Sequence, residues 1–119
     1  MENFSKEKIV NSISDRKRMH TRFLEKCKSY ESFVKLEEKT FAEGALSKKK
    51  KELMALSISI VIKCEPCIEW HVQQACLAGA TDEEIYETID VSIEMGGGPA
   101  AAYARFALNA LDYHKEHKR

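Results

Sequence analysis

Only two prolines interrupt the 119 residues, Pro66 and Pro99, and each stands where a helix can begin. Proline costs little in a first helical turn, because its missing N–H would have no intrahelical partner there. Elsewhere the apolar residues recur at helical spacing, and no stretch shows the period-two alternation of a half-buried strand. The chain therefore reads as all-α, a compact bundle of about six helices in one domain over residues 1–119. The expected helices run over about 5–27, 30–42, 48–62, 66–78, 82–95 and 99–114.

Local signals set these limits. Ser47 is placed to cap the third helix, and Thr81 with Glu84 forms a capping box for the fifth. Gly44 and Gly79 are expected to stop the second and fourth helices. The run Gly96-Gly97-Gly98-Pro99 is expected to break the chain and restart it. In the first segment the apolar positions include Ile9, Ile13, Phe23 and Leu24, and in the second Phe33, Leu36 and Phe41 are expected to face inward. The third helix becomes apolar nearly all round from Leu53 to Ile62, which implies burial on several sides. The last helix carries many alanines, which permit close helix approach, and the tail HKEHKR is expected to fray.

Charge excludes some partners. Nineteen basic residues balance nineteen acidic ones, so no broad attraction to nucleic acid or an anionic membrane is expected. The Lys48 to Lys51 run reads as a solvated first helical turn. The opening MENFSKEKIV lacks the apolar stretch of a signal peptide, and no apolar run approaches the ~20 residues of a membrane span. The expected location is the cytoplasm, where a structural disulfide is the less common use of cysteine.

Cys64-Glu65-Pro66-Cys67 is the sharpest chemical feature. Two thiols three residues apart at a helix start close into a disulfide with little backbone motion, and the helix N-terminus favours the thiolate beside it. His71 follows Cys67 by four residues, one turn along the same face, where an imidazole can take the thiol proton or stabilise its anion. Glu65 and Glu69 are expected to face solvent, and Trp70 to serve packing. Other readings of the same residues stay open. Zinc would use Cys64, Cys67 and His71, with His20, His114 or Cys76 as a fourth donor, though none of these has a recognisable spacing. A thioredoxin-like motif would need a βαβ context. Two buried cysteines and a core histidine would be inert. Cys76, in an apolar stretch, reads as a small core residue, and Cys27 as an exposed thiol near a helix end.

Glu52, eleven intervening residues, then Cys64-x-x-Cys67-x-x-x-His71 resembles the signature of AhpD-like alkylhydroperoxidases of the carboxymuconolactone decarboxylase superfamily. The resemblance covers a core of about residues 46–111, including LMALSISIVIKC and CEPCIEWHVQQACLAGAT, and leaves 1–45 as a helical N-terminal extension. It implies an AhpD-like helical fold assembled as homotrimers or homohexamers. It also implies an enzyme that reduces hydroperoxides or disulfides, with a thiol protein as reductant and no cofactor or metal. Glu52, Cys64, Cys67 and His71 would form its proton relay and catalytic centre. Decarboxylases proper share the fold but lack the cysteine pair. Better-studied alkylhydroperoxidases carry a second histidine just before the second cysteine, where this chain has Pro66, so disulfide reduction stands beside peroxide reduction. A non-catalytic metal-binding or redox-sensing module, and a decarboxylase-like enzyme that does not use the thiols, are the alternatives. In an ideal hairpin of the third and fourth helices, Glu52 would stand level with about Leu77, ~9 Å along the axis from His71.

Overall fold

A computed structural model describes residues 3–117. Five helices follow in order, α1 Asn3–Lys26, α2 Tyr30–Thr40, α3 Lys48–Val61, α4 Glu65–Leu77 and α5 Asp82–Glu116, and no strand occurs among the described residues. Residues 118 and 119, the end of the tail expected to fray, lie outside the described residues.

The caps act as their residue types dictate. The Ser47 side chain accepts a hydrogen bond from the Lys50 N–H at the start of α3. Thr81 and Glu84 exchange both bonds of a capping box at the start of α5. Gly79 takes φ 93° after α4, a left-handed conformation that glycine adopts without penalty. The second helix stops earlier than Gly44, at Thr40, with Phe41 as its C-cap.

The fifth and sixth expected helices are both present and are labelled together as α5; they meet at a kink at Gly97, within the expected break, where φ of 70° and ψ of −152° are non-helical. Pro99 then falls in the first turn after the kink, where its absent N–H is harmless. Gly96 is needed for contact: a Cβ there would lie 2.8 Å from the Ala100 Cβ and 3.4 Å from Val61 Cγ2. The first of these contacts lies within α5, across the kink; α3 and α5 approach closely where the Ser57 and Ser92 hydroxyls meet at 2.9 Å.

α3, α4 and α5 pack around one buried cluster that includes Leu56, Ile60, Ile68, Val72, Ile85 and Leu111, and α1 adds Ile9 to it. Two expectations about burial are corrected. α3 buries one face only, because Met54, Ile58 and Ile62 on its other side are more than half exposed. Phe33 and Leu36 do not turn inward but are 58% and 60% exposed. α2 has no buried residue and packs against α1 rather than the three-helix core.

Candidate active site

The site begins at the turn between α3 and α4. Lys63 takes φ 63°, Cys64 is extended as N-cap of α4, and Pro66 occupies the first turn. This brings Cys64 and Cys67 together as a disulfide with an S–S distance of 2.07 Å and Cα atoms 5.2 Å apart. Cys64 Sγ also accepts the Cys67 N–H at 3.3 Å, so a free helix N-terminal donor points at that sulfur.

His71 stands one turn beyond Cys67 and is largely buried. Its Nδ1 lies 2.8 Å from Glu52 Oε1, which spans the connection between α4 and α3. The axial offset of an ideal hairpin is thus closed; the left-handed Lys63 and extended Cys64 make the actual turn depart from that geometry. Glu52 is 2% exposed, and Lys48 donates from Nζ to its other oxygen at 2.8 Å. Lys48 is therefore not merely solvated: it serves the buried carboxylate one turn away. Burial pushes the Glu52 carboxyl up, but the hydrogen bonds and charges of His71 and Lys48 outweigh burial and hold it below the ordinary carboxylate range. The Phe41 ring packs against the His71 imidazole with centroids 5.4 Å apart.

A cleft of about 650 Å³ opens beside this group. Cys67, His71, Pro66 and Trp70 of α4 form one wall, and Phe23, Tyr30 and Phe33 from α1 and α2 form the other. Its size falls in the ~300–1,000 Å³ range typical of small-molecule sites. A second cavity, of about 310 Å³, lies on the Glu52 side and is lined by Lys48, Glu52, Phe41 and Trp70. The Glu52–His71 pair therefore connects a cavity on one side with the thiol cleft on the other. Trp70 borders both spaces.

A second buried carboxylate departs from expectation. Glu69 is fully buried instead of facing solvent, because Arg16 of α1 and His114 of α5 converge on it. Arg16 Nε and Nη2 reach the two Glu69 oxygens at 3.0 and 3.3 Å, and Nη2 also reaches Gln73 Oε1 at 3.3 Å. His114 Nε2 lies 3.0 Å from Glu69 Oε2. Burial pushes the Glu69 carboxyl up, and the bonds and charges of His114 and Arg16 bring it below its ordinary value. The Arg16 guanidinium in turn stacks on Trp70, 4.5 Å from the ring centre. This network was not legible in the sequence because its members are far apart in the chain. The one available signal was the placement of Glu69 between the apolar Ile68 and Val72. Glu65, by contrast, is partly exposed and pairs with Lys8 at 3.0 Å.

The histidines considered as further zinc donors are engaged elsewhere: His20 Nδ1 meets the Tyr30 hydroxyl at 2.7 Å, and His114 meets Glu69. Cys76 is partly buried against the core and Cys27 is exposed. Among the described residues, no helix is long and apolar enough to cross a membrane.

Residues 28–110 match the model of the carboxymuconolactone decarboxylase family. The chain belongs to this family. As a carboxymuconolactone decarboxylase family protein it resembles solved members closely. One, from Legionella pneumophila, shares 32% identity, with a TM-score of 0.81 over 94% of this chain and 98% of that one. Another, from Thermotoga maritima, for which a part in the antioxidative response has been suggested, shares 29% identity, with a TM-score of 0.82 over 91% of this chain and 92% of that one. An uncharacterised protein of the cox locus in Paracoccus denitrificans is 45% identical over 82 residues, which is 69% of this chain and 74% of that protein. An uncharacterised protein of Cupriavidus necator is 40% identical over 70 residues, 59% of this chain and 62% of that protein. The family match begins at residue 28 and so leaves out Arg16, which the folded chain nevertheless brings to the cleft.

Proposed function

We propose that this family member is a thiol-dependent oxidoreductase that reduces hydroperoxides, disulfides or both through a Cys64–Cys67 dithiol/disulfide cycle. The observation that carries the reading is the Glu52–His71 hydrogen bond of 2.8 Å, ending one helical turn from Cys67 in the cleft beside the disulfide. An imidazole oriented by a buried carboxylate is suited to take and return a proton at a neighbouring thiol.

In the reduced enzyme, His71 takes the Cys67 thiol proton. The Cys67 sulfur then attacks the terminal oxygen of a hydroperoxide and the O–O bond breaks. The departing alkoxide receives the proton held on His71 and leaves as alcohol, with a sulfenic acid on Cys67. Cys64 attacks that sulfur, the disulfide closes and water leaves. A thiol reductant protein, itself oxidised to its disulfide, returns the pair to the dithiol. For a disulfide substrate, Cys67 attacks one sulfur, the other leaves as thiol, and Cys64 resolves the mixed disulfide. Pro66 favours this second use, because it stands where the resembling enzymes have another histidine, and a thiol leaving group needs less proton assistance than an alkoxide. The cycle suits the reducing cytoplasm, in an assembly of three or six copies.

The test compares turnover of tert-butyl hydroperoxide and a model disulfide with dithiothreitol as reductant. Cys67→Ser should abolish both activities, whereas Cys64→Ser should slow them and leave Cys67 to be resolved by dithiothreitol directly. His71→Ala should slow alkylation of the reduced protein near neutral pH by roughly tenfold while leaving it folded. Turnover that survives Cys67→Ser would sink the proposal.

A further inference from the structure

Resting on that reading, we infer that the substrate has an apolar body, of aromatic size, with a carboxylate at one end, held by Lys17 and Arg16. Four aromatic side chains, Phe23, Tyr30, Phe33 and Trp70, line the cleft beside Cys67, with Val34 and Pro66. A ligand of hydrogen peroxide size would leave those walls unused, so the body that fills the cleft is organic and apolar.

The charged groups lining the same cleft are unbalanced. Arg16 and Lys17 face a single carboxylate, Glu37. Arg16 is partly neutralised by Glu69, yet its contacts to Glu69 and Gln73 use only Nε and Nη2. The Nη1 edge remains, on a side chain 23% exposed. Glu69 and the Trp70 face hold the guanidinium in place, so little side-chain freedom is lost when an anion binds it. Lys17, which also borders a neighbouring cavity with Asp82, makes no ion pair among the described residues. An ammonium and a guanidinium edge beside an aromatic cleft suit a carboxylate on an apolar stem better than a neutral ester of the same shape.

Both cations come from α1, outside the residues that match the family model. The catalytic group and the acid-selecting group are thus supplied by different parts of the chain. Selection for an acidic end is then a property of the α1 segment and separable from the thiol chemistry.

The matched probes are cumene hydroperoxide carrying a para-carboxylate and the methyl ester of that compound. With dithiothreitol as reductant, kcat/KM for the acid should exceed that for the ester by about tenfold, mainly through KM. Lys17→Glu replaces an exposed cation without touching the core and should bring the acid-to-ester ratio to about one or below. Arg16→Lys, which keeps the charge but loses the fork, should lower the ratio less. Binding is read independently of turnover by protection of Cys67 from iodoacetamide. para-Isopropylbenzoate should protect the reduced protein and its methyl ester should not. Equal rates for acid and ester, or a ratio unmoved by Lys17→Glu, would overturn the inference and leave the oxidoreductase reading intact. Absence of turnover with both hydroperoxides and with a model disulfide would overturn that reading, and the inference with it.

Discussion

A carboxylate as deeply buried as Glu52 or Glu69 stays ionised only because donors face it from two sides. For Glu52 these are His71 and Lys48, and for Glu69 they are Arg16 and His114. Both carboxyls hold their proton less tightly than ordinary carboxylates despite their burial. The unfolded chain therefore takes up protons at higher pH than the folded one. The sign follows: these two groups stabilise the fold fully above the ordinary carboxylate value of about 4.3, and the contribution is lost as pH falls through their lower folded values. Urea unfolding midpoints measured from neutral pH to about pH 3 should fall over that window. Glu69→Ala leaves Arg16 facing a gap in the interior and should cost about 3 kcal/mol or more at neutral pH. Lys8→Ala, which removes a surface pair with Glu65, should cost less than about 1 kcal/mol. A Glu69→Ala protein as stable as its parent would show that the network carries no net stability.

At the scale of helices, the glycine run of α5 separates three roles that look alike in sequence. Gly96 lies against Ala100 and Val61, Gly97 has a left-handed φ with open space around its Cβ position, and Gly98 has neither restriction. Gly96→Ala should destabilise by about 1–3 kcal/mol, chiefly by driving the two sides of the α5 kink apart at Ala100 and less by crowding Val61 of α3. Gly97→Ala should cost about 1–3 kcal/mol through backbone strain alone, because its positive φ with extended ψ is open almost only to glycine. Gly98→Ala should be neutral, or stabilising by up to about 1 kcal/mol, because alanine restricts the unfolded chain and suits a helix. Thermal unfolding of the three variants tests the order, and a destabilised Gly98→Ala would contradict it. The break itself was legible in Gly96-Gly97-Gly98-Pro99, as were the caps at Ser47 and Thr81, since these are local rules of backbone chemistry. What spacing did not show is how short the break is: one non-helical residue, Gly97, suffices, because Pro99 falls in the turn that follows. The same division holds for the site. Cys67 and His71 share one helix and its period, and Cys64 caps that helix, so their proximity could be read from spacing. Glu52 needed the crossing of two helices, which spacing does not fix and resemblance supplied. Glu69 with Arg16 and His114 joins three helices, and nothing local announces it. The fate of Phe33 and Leu36 follows the same logic: their spacing marks an apolar face, but what covers that face is decided by how α2 is placed.

The whole molecule carries more apolar surface than its own core covers. Met54 and Ile58 on α3, Ile62 at its C-cap, and Val91 and Met95 on α5 are all more than half exposed. Ile58 and Ile62 lie one turn apart, as do Val91 and Met95, so each pair forms a continuous strip on its helix. Scattered exposed apolar residues are ordinary; strips on two helices that also pack on each other are what we propose as a surface for association. The family resemblance points to trimers or hexamers, and these strips are the candidate contact. Ile58 is exposed, so replacing it by glutamate leaves the monomer core intact; within an interface, the new charge would lose its water and oppose assembly. Light scattering at micromolar concentration should give the mass of three or six chains for the parent protein. Ile58→Glu should shift it toward monomer with an unchanged helical circular dichroism spectrum. A parent protein that runs as a stable monomer would contradict the assembly. A variant that stays assembled would move the interface away from α3 and leave the strips without a role in it.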